Sequence, residues 1–203
     1  MQSTELNTKK YIFLIDDDAS MRNTLHNMLE FLNYQVQSFS SALDFLKISV
    51  DVFPAVIITD MRMPDMSGVE LQAELIKRGR QIPIIFISGQ TSVAQSIEAM
   101  KQGAIDFLQK PFESSALMSS IEKGHEIDEN NVRELTRQQH LEESLKKLSP
   151  REREVFDLLV LGYNNSELLD ALKISLPTAK QYKSEVMRKL NLNSLSELIR
   201  LKK

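Results

Sequence analysis

Four short apolar runs, each closing on a residue suited to phosphate chemistry, constrain the first half of this chain more than any other feature. Tyr11-Ile12-Phe13-Leu14-Ile15 runs into Asp16-Asp17-Asp18, and Ala55-Val56-Ile57-Ile58-Thr59 into Asp60. Ile84-Ile85-Phe86-Ile87 stops at Ser88, and Ala104-Ile105-Asp106-Phe107-Leu108 leads to Lys110-Pro111. Unbroken apolar runs of this length, alternating with helical patterns, read as strands buried in a parallel sheet. The order predicts strands at 11–15, 34–39, 55–59, 82–88 and 104–109, and helices at about 20–32, 40–48, 68–78, 91–102 and from about 113. Ser67-Gly68-Val69-Glu70 supplies a capping box for the third of these helices. Open parallel sheets bind ligands beyond the carboxyl ends of their strands. Three acids, a hydroxyl and an ammonium, far apart in sequence, are therefore expected to converge at one edge.

At 203 residues the chain has room for two small domains, and 42% hydrophobic residues is enough for packed cores. There is no cysteine, which excludes disulfides and thiolate zinc sites. Nowhere do eighteen apolar residues run together, so no signal peptide, membrane span or membrane partner is expected, and the location expected is cytoplasmic. The net charge of −3 conceals an asymmetry: residues 148–203 carry ten Lys and Arg against seven Asp and Glu, whereas residues 1–121 carry ten against fourteen. Only the tail is basic, which points to an anionic partner there.

Residues 122–147 read as a helical linker, because 122–131 is nearly all polar and the apolar stripe beyond it is thin: Val132, Leu135, Leu141, Leu145 and Leu148. The tail from 148 to 203 contains only helix signals. Ser149-Pro150-Arg151-Glu152, Asn164-Asn165-Ser166-Glu167 and Ser194-Leu195-Ser196-Glu197 are capping-box patterns, and Ser175-Leu176-Pro177-Thr178 opens a further helix. They predict four short helices at about 150–161, 165–172, 176–190 and 195–202.

Carboxylates as close as Asp16, Asp17 and Asp60 would repel unless a cation sits among them. Mg²⁺ (or Mn²⁺) suits such a set, since it takes one or two carboxylates and leaves positions for water and phosphate oxygens. A carboxylate can also act as nucleophile in phosphoryl transfer and form an acyl phosphate. Lys110 would balance the phosphoryl charge, and the Ser88 hydroxyl would hydrogen-bond one of its oxygens. The histidines, His26, His125 and His140, lie away from this set and read as ordinary surface or partly buried residues.

Ile15-Asp16-Asp17, Thr59-Asp60-Met61-Arg62-Met63-Pro64-Asp65-Met66-Ser67-Gly68, Ser88-Gly89 and Lys110-Pro111-Phe112 resemble the receiver domain of two-component response regulators. The resemblance implies a flavodoxin-like (CheY-like) doubly wound five-stranded parallel sheet over residues 9–121. It implies Asp60 as phosphoacceptor, with Asp17, Asp60 and the backbone carbonyl of Arg62 on Mg²⁺ and Asp16 acting through water. Ser88 would be the switch hydroxyl, Phe107 the switch aromatic, Lys110 the phosphate partner, and Pro111 would follow a cis bond. Arg62 and Gln90 would flank the phosphoryl group. An alternative, a haloacid-dehalogenase-like phosphatase with Asp16 as nucleophile and Asp18 as acid/base, fits Asp16-Asp17-Asp18-Ala19-Ser20 but leaves Asp60 unexplained.

On the predicted helix 176–190, Ala179, Tyr182, Val186 and Leu190 share an apolar face, leaving Lys180, Gln181, Lys183, Ser184 and Arg188 to face outward. Lys180 could bond guanine, Gln181 adenine, and Ser184 either base, while Lys183, Arg188 and Lys189 suit phosphates. Leu148-Ser149-Pro150-Arg151-Glu152-Arg153-Glu154-Val155, Gly162, Asn165-Ser166-Glu167-Leu168, Ile174-Ser175, Thr178 with Lys180, and Met187-Arg188-Lys189-Leu190 are similar to the LuxR-type helix-turn-helix domain of the FixJ/NarL class. Lys173 stands where that class often has Gly, Tyr182 where His is frequent. The two resemblances imply a transcriptional response regulator, phosphorylated by a sensor histidine kinase. It would dimerise through helix 91–102 and strand 104–109 and bind double-stranded promoter DNA, with RNA polymerase a further partner. It would be no enzyme beyond its own phosphorylation and hydrolysis. The competing reading is a receiver-type protein-interaction module whose tail does not bind DNA.

Overall fold

A computed structural model describes residues 9–79, 82–89, 93–192 and 194–200. It divides into two compact units, one ending at Arg133 and one beginning at Glu134. In the first, strands β1 (Tyr11–Ile15), β2 (Gln35–Phe39), β3 (Ala55–Asp60), β4 (Ile84–Ser88) and β5 (Asp106–Gln109) pair in parallel, in the order β2-β1-β3-β4-β5. Helices α1 (Ala19–Phe31), α2 (Ala42–Phe45), α3 (Gly68–Lys77), α4 (Val93–Lys101) and α5 (Ser114–Lys146) connect and cover them. This is the doubly wound sheet that the apolar runs predict.

The strands are apolar on both faces because both are covered. Ile12, Leu14, Val56, Ile58, Ile85 and Ile87 pack with Leu25 and Leu29 of α1 and Leu117 and Ile121 of α5. Phe13, Ile15, Ile57, Ile84 and Phe86 pack on the other face with Phe45, Leu71, Leu75 and Ala99. Each Val, Leu, Ile and Phe among these contributes about 1.5–3 kcal/mol when fully buried.

Several boundaries differ from the sequence reading. The helix predicted at 40–48 is α-helical only over Ala42–Phe45, where Ala42 and Phe45 bury. Beyond it the chain tightens into i→i+3 bonds, Lys47 N to Asp44 O and Ile48 N to Phe45 O. Strand β4 begins two residues late because Pro83 has no N–H for a ladder; its carbonyl still accepts from Ile57 N. Thr91 and Ser92, at the start of the predicted helix 91–102, lie outside the described residues, as does Gln90.

Helix α5 is a single 33-residue element that takes in most of the stretch read as a helical linker. Its middle is tied to the first unit. Glu122 accepts from Tyr34 Oη at 2.6 Å and pairs with Lys10, His125 Nε2 donates to Tyr11 O at 3.0 Å, and Asp128 accepts from Ala55 N at 2.8 Å. Gly124 is required by the close approach of helix to sheet, since a Cβ there would lie 2.7 Å from Val56 Cγ2.

In the second unit, α6 (Pro150–Val160), α7 (Asn165–Leu172), α8 (Leu176–Lys189) and α9 (Leu195–Arg200) enclose Val155, Phe156, Leu159, Leu168, Val186, Leu190 and Leu198. Complete capping boxes start α6 and α7, and Ser175 caps α8. Among the described residues no helix is long and apolar enough to cross a membrane.

Candidate functional site

The chain leaves β1 for β2 on one side and returns to β3 on the other, so the sheet order reverses between β1 and β3. In open α/β sheets ligands bind at such a reversal, beyond the strands' carboxyl ends. Asp16 and Asp17 follow β1, Asp60 ends β3, Ser88 ends β4, and Lys110 follows β5. Carboxylate oxygens of Asp16, Asp17 and Asp60 lie within 4.8 Å of one another.

The hydrogen bonds within the site are specific. The fully buried Asp16 accepts from Asp18 N at 2.8 Å and from Lys110 Nζ at 3.0 Å. Lys110 Nζ also donates to Asp60 Oδ2 at 2.8 Å, while Asp60 Oδ1 accepts from Arg62 N at 2.9 Å. Lys110 N in turn donates to Ser88 O at 2.8 Å, joining the ammonium's backbone to the hydroxyl-bearing residue. Ser88 is buried, and Phe107 is half-buried opposite Phe86 in the β4–β5 pairing. The Lys110–Pro111 peptide is cis.

Burial pushes the Asp16 carboxyl above its usual range, against the opposing hydrogen bond and charge of Lys110. Burial opposes the Lys110 ammonium too, but the bonds to Asp60 and Asp16 outweigh it and hold that group above its usual range. Among the described residues Lys110 is the cation hydrogen-bonded to these carboxylates, so negative charge is left uncompensated. An all-oxygen, acidic, partly open donor set of this kind fits Mg²⁺.

Two further residues support the site. Gly68 is required because a Cβ there would lie 2.6 Å from Asp60 O and 2.8 Å from Phe86 Cε1, so the start of α3 packs directly on the Asp60 peptide. Arg22, on the first turn of α1, donates from Nη1 to Asp16 O at 2.6 Å and to Asp17 O at 3.4 Å. Arginine six residues after an acid is the only sequence signal for it.

In the second unit, Ala179 and Val186 of α8 and its C-cap Leu190 are buried, and Lys180, Gln181, Ser184 and Arg188 are exposed. Lys183 is half-buried, and Arg188 pairs with Glu185 at 2.6 Å. Lys189, expected among the phosphate contacts, turns into its own domain. Its Nζ lies 2.6 Å from Glu152 Oε2 and 3.2 Å from Lys147 O, because the capping carboxylate of α6 needs a counter-charge. That ammonium, with Ser149, holds the Glu152 carboxyl below its usual range. The Thr178 hydroxyl is engaged with Ser175 Oγ at 2.8 Å, within the α8 cap.

Residues 12–122 match the family described as response regulator receiver domain, and residues 146–202 that of bacterial regulatory proteins, luxR family. The transcriptional regulatory protein FixJ of Bradyrhizobium diazoefficiens is 36% identical over 97% of this chain and 96% of its own length. Nodulation protein W of the same organism is 34% identical over 98% of this chain and 87% of its own. The solved structure of the response regulator StyR matches with a TM-score of 0.81 at 37% identity, covering 95% of this chain and 98% of that one.

Proposed function

Because this chain belongs to the two-component response regulators that join a receiver domain to a LuxR-type DNA-binding domain, we propose that Asp60 is its phosphoacceptor and that phosphorylation controls dimerisation and promoter binding. The observation that carries this reading is the shared ammonium: Lys110 Nζ bridges Asp16 and Asp60 at 3.0 and 2.8 Å, with Asp17 beside them. Asp16, Asp17 and Asp60, with the Arg62 carbonyl, would hold Mg²⁺, which when bound neutralises charge on the transferring phosphoryl group.

The Asp60 carboxylate then attacks the phosphorus of a phosphohistidine or small phosphodonor; an O–P bond forms and the donor's bond to phosphorus breaks. Lys110 stays paired with the new phosphoryl oxygens, and the Ser88 hydroxyl is drawn toward one of them. Phe107, half-buried on the neighbouring strand β5, follows into the space that Ser88 vacates. The surface of α4 and β5 changes with it and favours a dimer. Each copy then presents α8 to a DNA half-site, with Lys180, Gln181 and Ser184 toward base edges and Lys183 and Arg188 toward phosphates. A regulator of this kind works where the chromosome is, so we place it in the cytoplasm.

The test is sedimentation together with DNA binding, with and without a small phosphodonor and Mg²⁺. Wild type is expected to gain mass toward a dimer and to bind DNA more tightly, and Asp60→Asn to do neither. A phosphodonor response that survives in Asp60→Asn would contradict the reading. DNA binding absent even at low salt would favour a protein-interaction module instead.

A further inference from the structure

We propose that Arg22 is a positioning residue for the divalent-cation site: it sets the direction of the Asp17 Cα–Cβ bond, and so the arc open to its carboxylate, by holding the two peptide planes on either side of it. This rests on the reading of Asp16, Asp17 and Asp60 as a Mg²⁺ site.

The three acids are oriented in different ways. Asp16 is buried and its carboxylate is held by Asp18 N and Lys110 Nζ. The Asp60 carboxylate is held by Arg62 N and Lys110 Nζ. The Asp17 side chain is exposed, and among the described residues its carboxylate accepts no hydrogen bond. Only its backbone can aim it.

That backbone is clamped from one side. Arg22 Nη1 donates to Asp16 O at 2.6 Å and to Asp17 O at 3.4 Å. Those carbonyls belong to the peptide planes that enter and leave the Asp17 Cα, and bonds to both planes restrict φ and ψ of that residue. The Cα–Cβ bond then points one way, whether or not a cation is bound. The clamp is itself anchored, because α1 starts on the Asp18 cap, which accepts from Ser20 N and Met21 N. Loop, cap and guanidinium therefore form one closed unit, and a charge-assisted bond to a carbonyl is stronger than a neutral one.

Positioning and simple electrostatics predict opposite signs. As a nearby positive charge, Arg22 would weaken cation binding, so removing it should tighten Mg²⁺. As a clamp, it should strengthen binding, and outer-shell partners of metal ligands are typically worth about 10–100-fold in affinity.

The experiment is calorimetric titration of Mg²⁺ into the full chain as wild type, Arg22→Met, Arg22→Gln and Arg22→Lys, with thermal unfolding of each in the absence of metal. The clamp predicts roughly 10-fold or more weaker binding in the Met and Gln variants. The Lys variant keeps the charge but sits one bond short, and is expected to recover part of the loss. Met or Gln binding Mg²⁺ as tightly as wild type, or more tightly, overturns the inference. So does a lowered unfolding temperature with unchanged Mg²⁺ affinity, which would make Arg22 merely structural. If Arg22→Met does not fold, the Gln variant decides. Failure of the wild type to bind Mg²⁺ is a separate result, and overturns the metal-site reading beneath this one.

Discussion

Single residues in this chain show how a local conformational demand and a functional one can fall at the same place. Lys173 ends α7 in the left-handed region, at φ 54°, where a side chain with a Cβ is strained. Glycine is common there in similar domains, and the structure gives the reason. Lys173→Gly is expected to stabilise the C-terminal unit by about 1 kcal/mol, read as a higher denaturation midpoint. An unchanged or lower midpoint would mean that the lysine makes a compensating interaction. Lys189 shows the reverse case: its place on the basic helix suggested DNA, but its bond to Glu152 commits it to the capping box of α6. A helical wheel can locate a face, whereas a partner 37 residues earlier is invisible to it.

At the scale of elements, strand ends were the legible part. Each apolar run carries its own terminal acid, hydroxyl or ammonium, and a parallel sheet has no choice but to bring those ends together. What stayed hidden was that α5 goes on packing against the sheet beyond Ile121. Leu117, Ile121, Gly124, His125 and Asp128 keep helical spacing toward the sheet, but the polar members erase the apolar signal that would reveal it. Likewise, Arg22 acts on backbone carbonyls, which every residue has, so no pairing of side chains marks it. The contacts that tie α5 to the first unit make a prediction about pH. His125 is buried and stacked on Tyr34 at 5.7 Å; its Nε2 is bonded, and its Nδ1 has no partner among the described residues. Burial holds its pKa below the ordinary 6.5, outweighing the pull of the Tyr11 carbonyl. The folded chain thus keeps His125 neutral while the unfolded chain takes up a proton as pH falls through about 6.5. Stability is full above that value and declines below it, by up to about 1.4 kcal/mol per pH unit until the folded form also protonates. Denaturant unfolding of the first unit at pH 7.5 and 5.5 should show this loss, and His125→Gln should reduce it. An equal loss in both proteins would place the effect elsewhere.

Across the whole molecule, the two units divide the chemistry cleanly. In the proposed function, the acidic edge of the sheet takes charge from a phosphodonor, and the basic helical unit meets the charge of DNA. The resemblance seen in the motifs and the family matches agree on a receiver domain joined to a LuxR-type domain, and the proposal stands on where the phosphoryl group goes. Intact-mass spectrometry after a small phosphodonor and Mg²⁺ tests it most directly, with wild type beside Asp60→Asn and Asp16→Asn. The account predicts a phosphoryl adduct on wild type, none on Asp60→Asn, and a smaller but present adduct on Asp16→Asn, which loses a charge partner but not the nucleophile. An adduct that persists in Asp60→Asn and vanishes in Asp16→Asn would move the nucleophile to Asp16 and contradict the account.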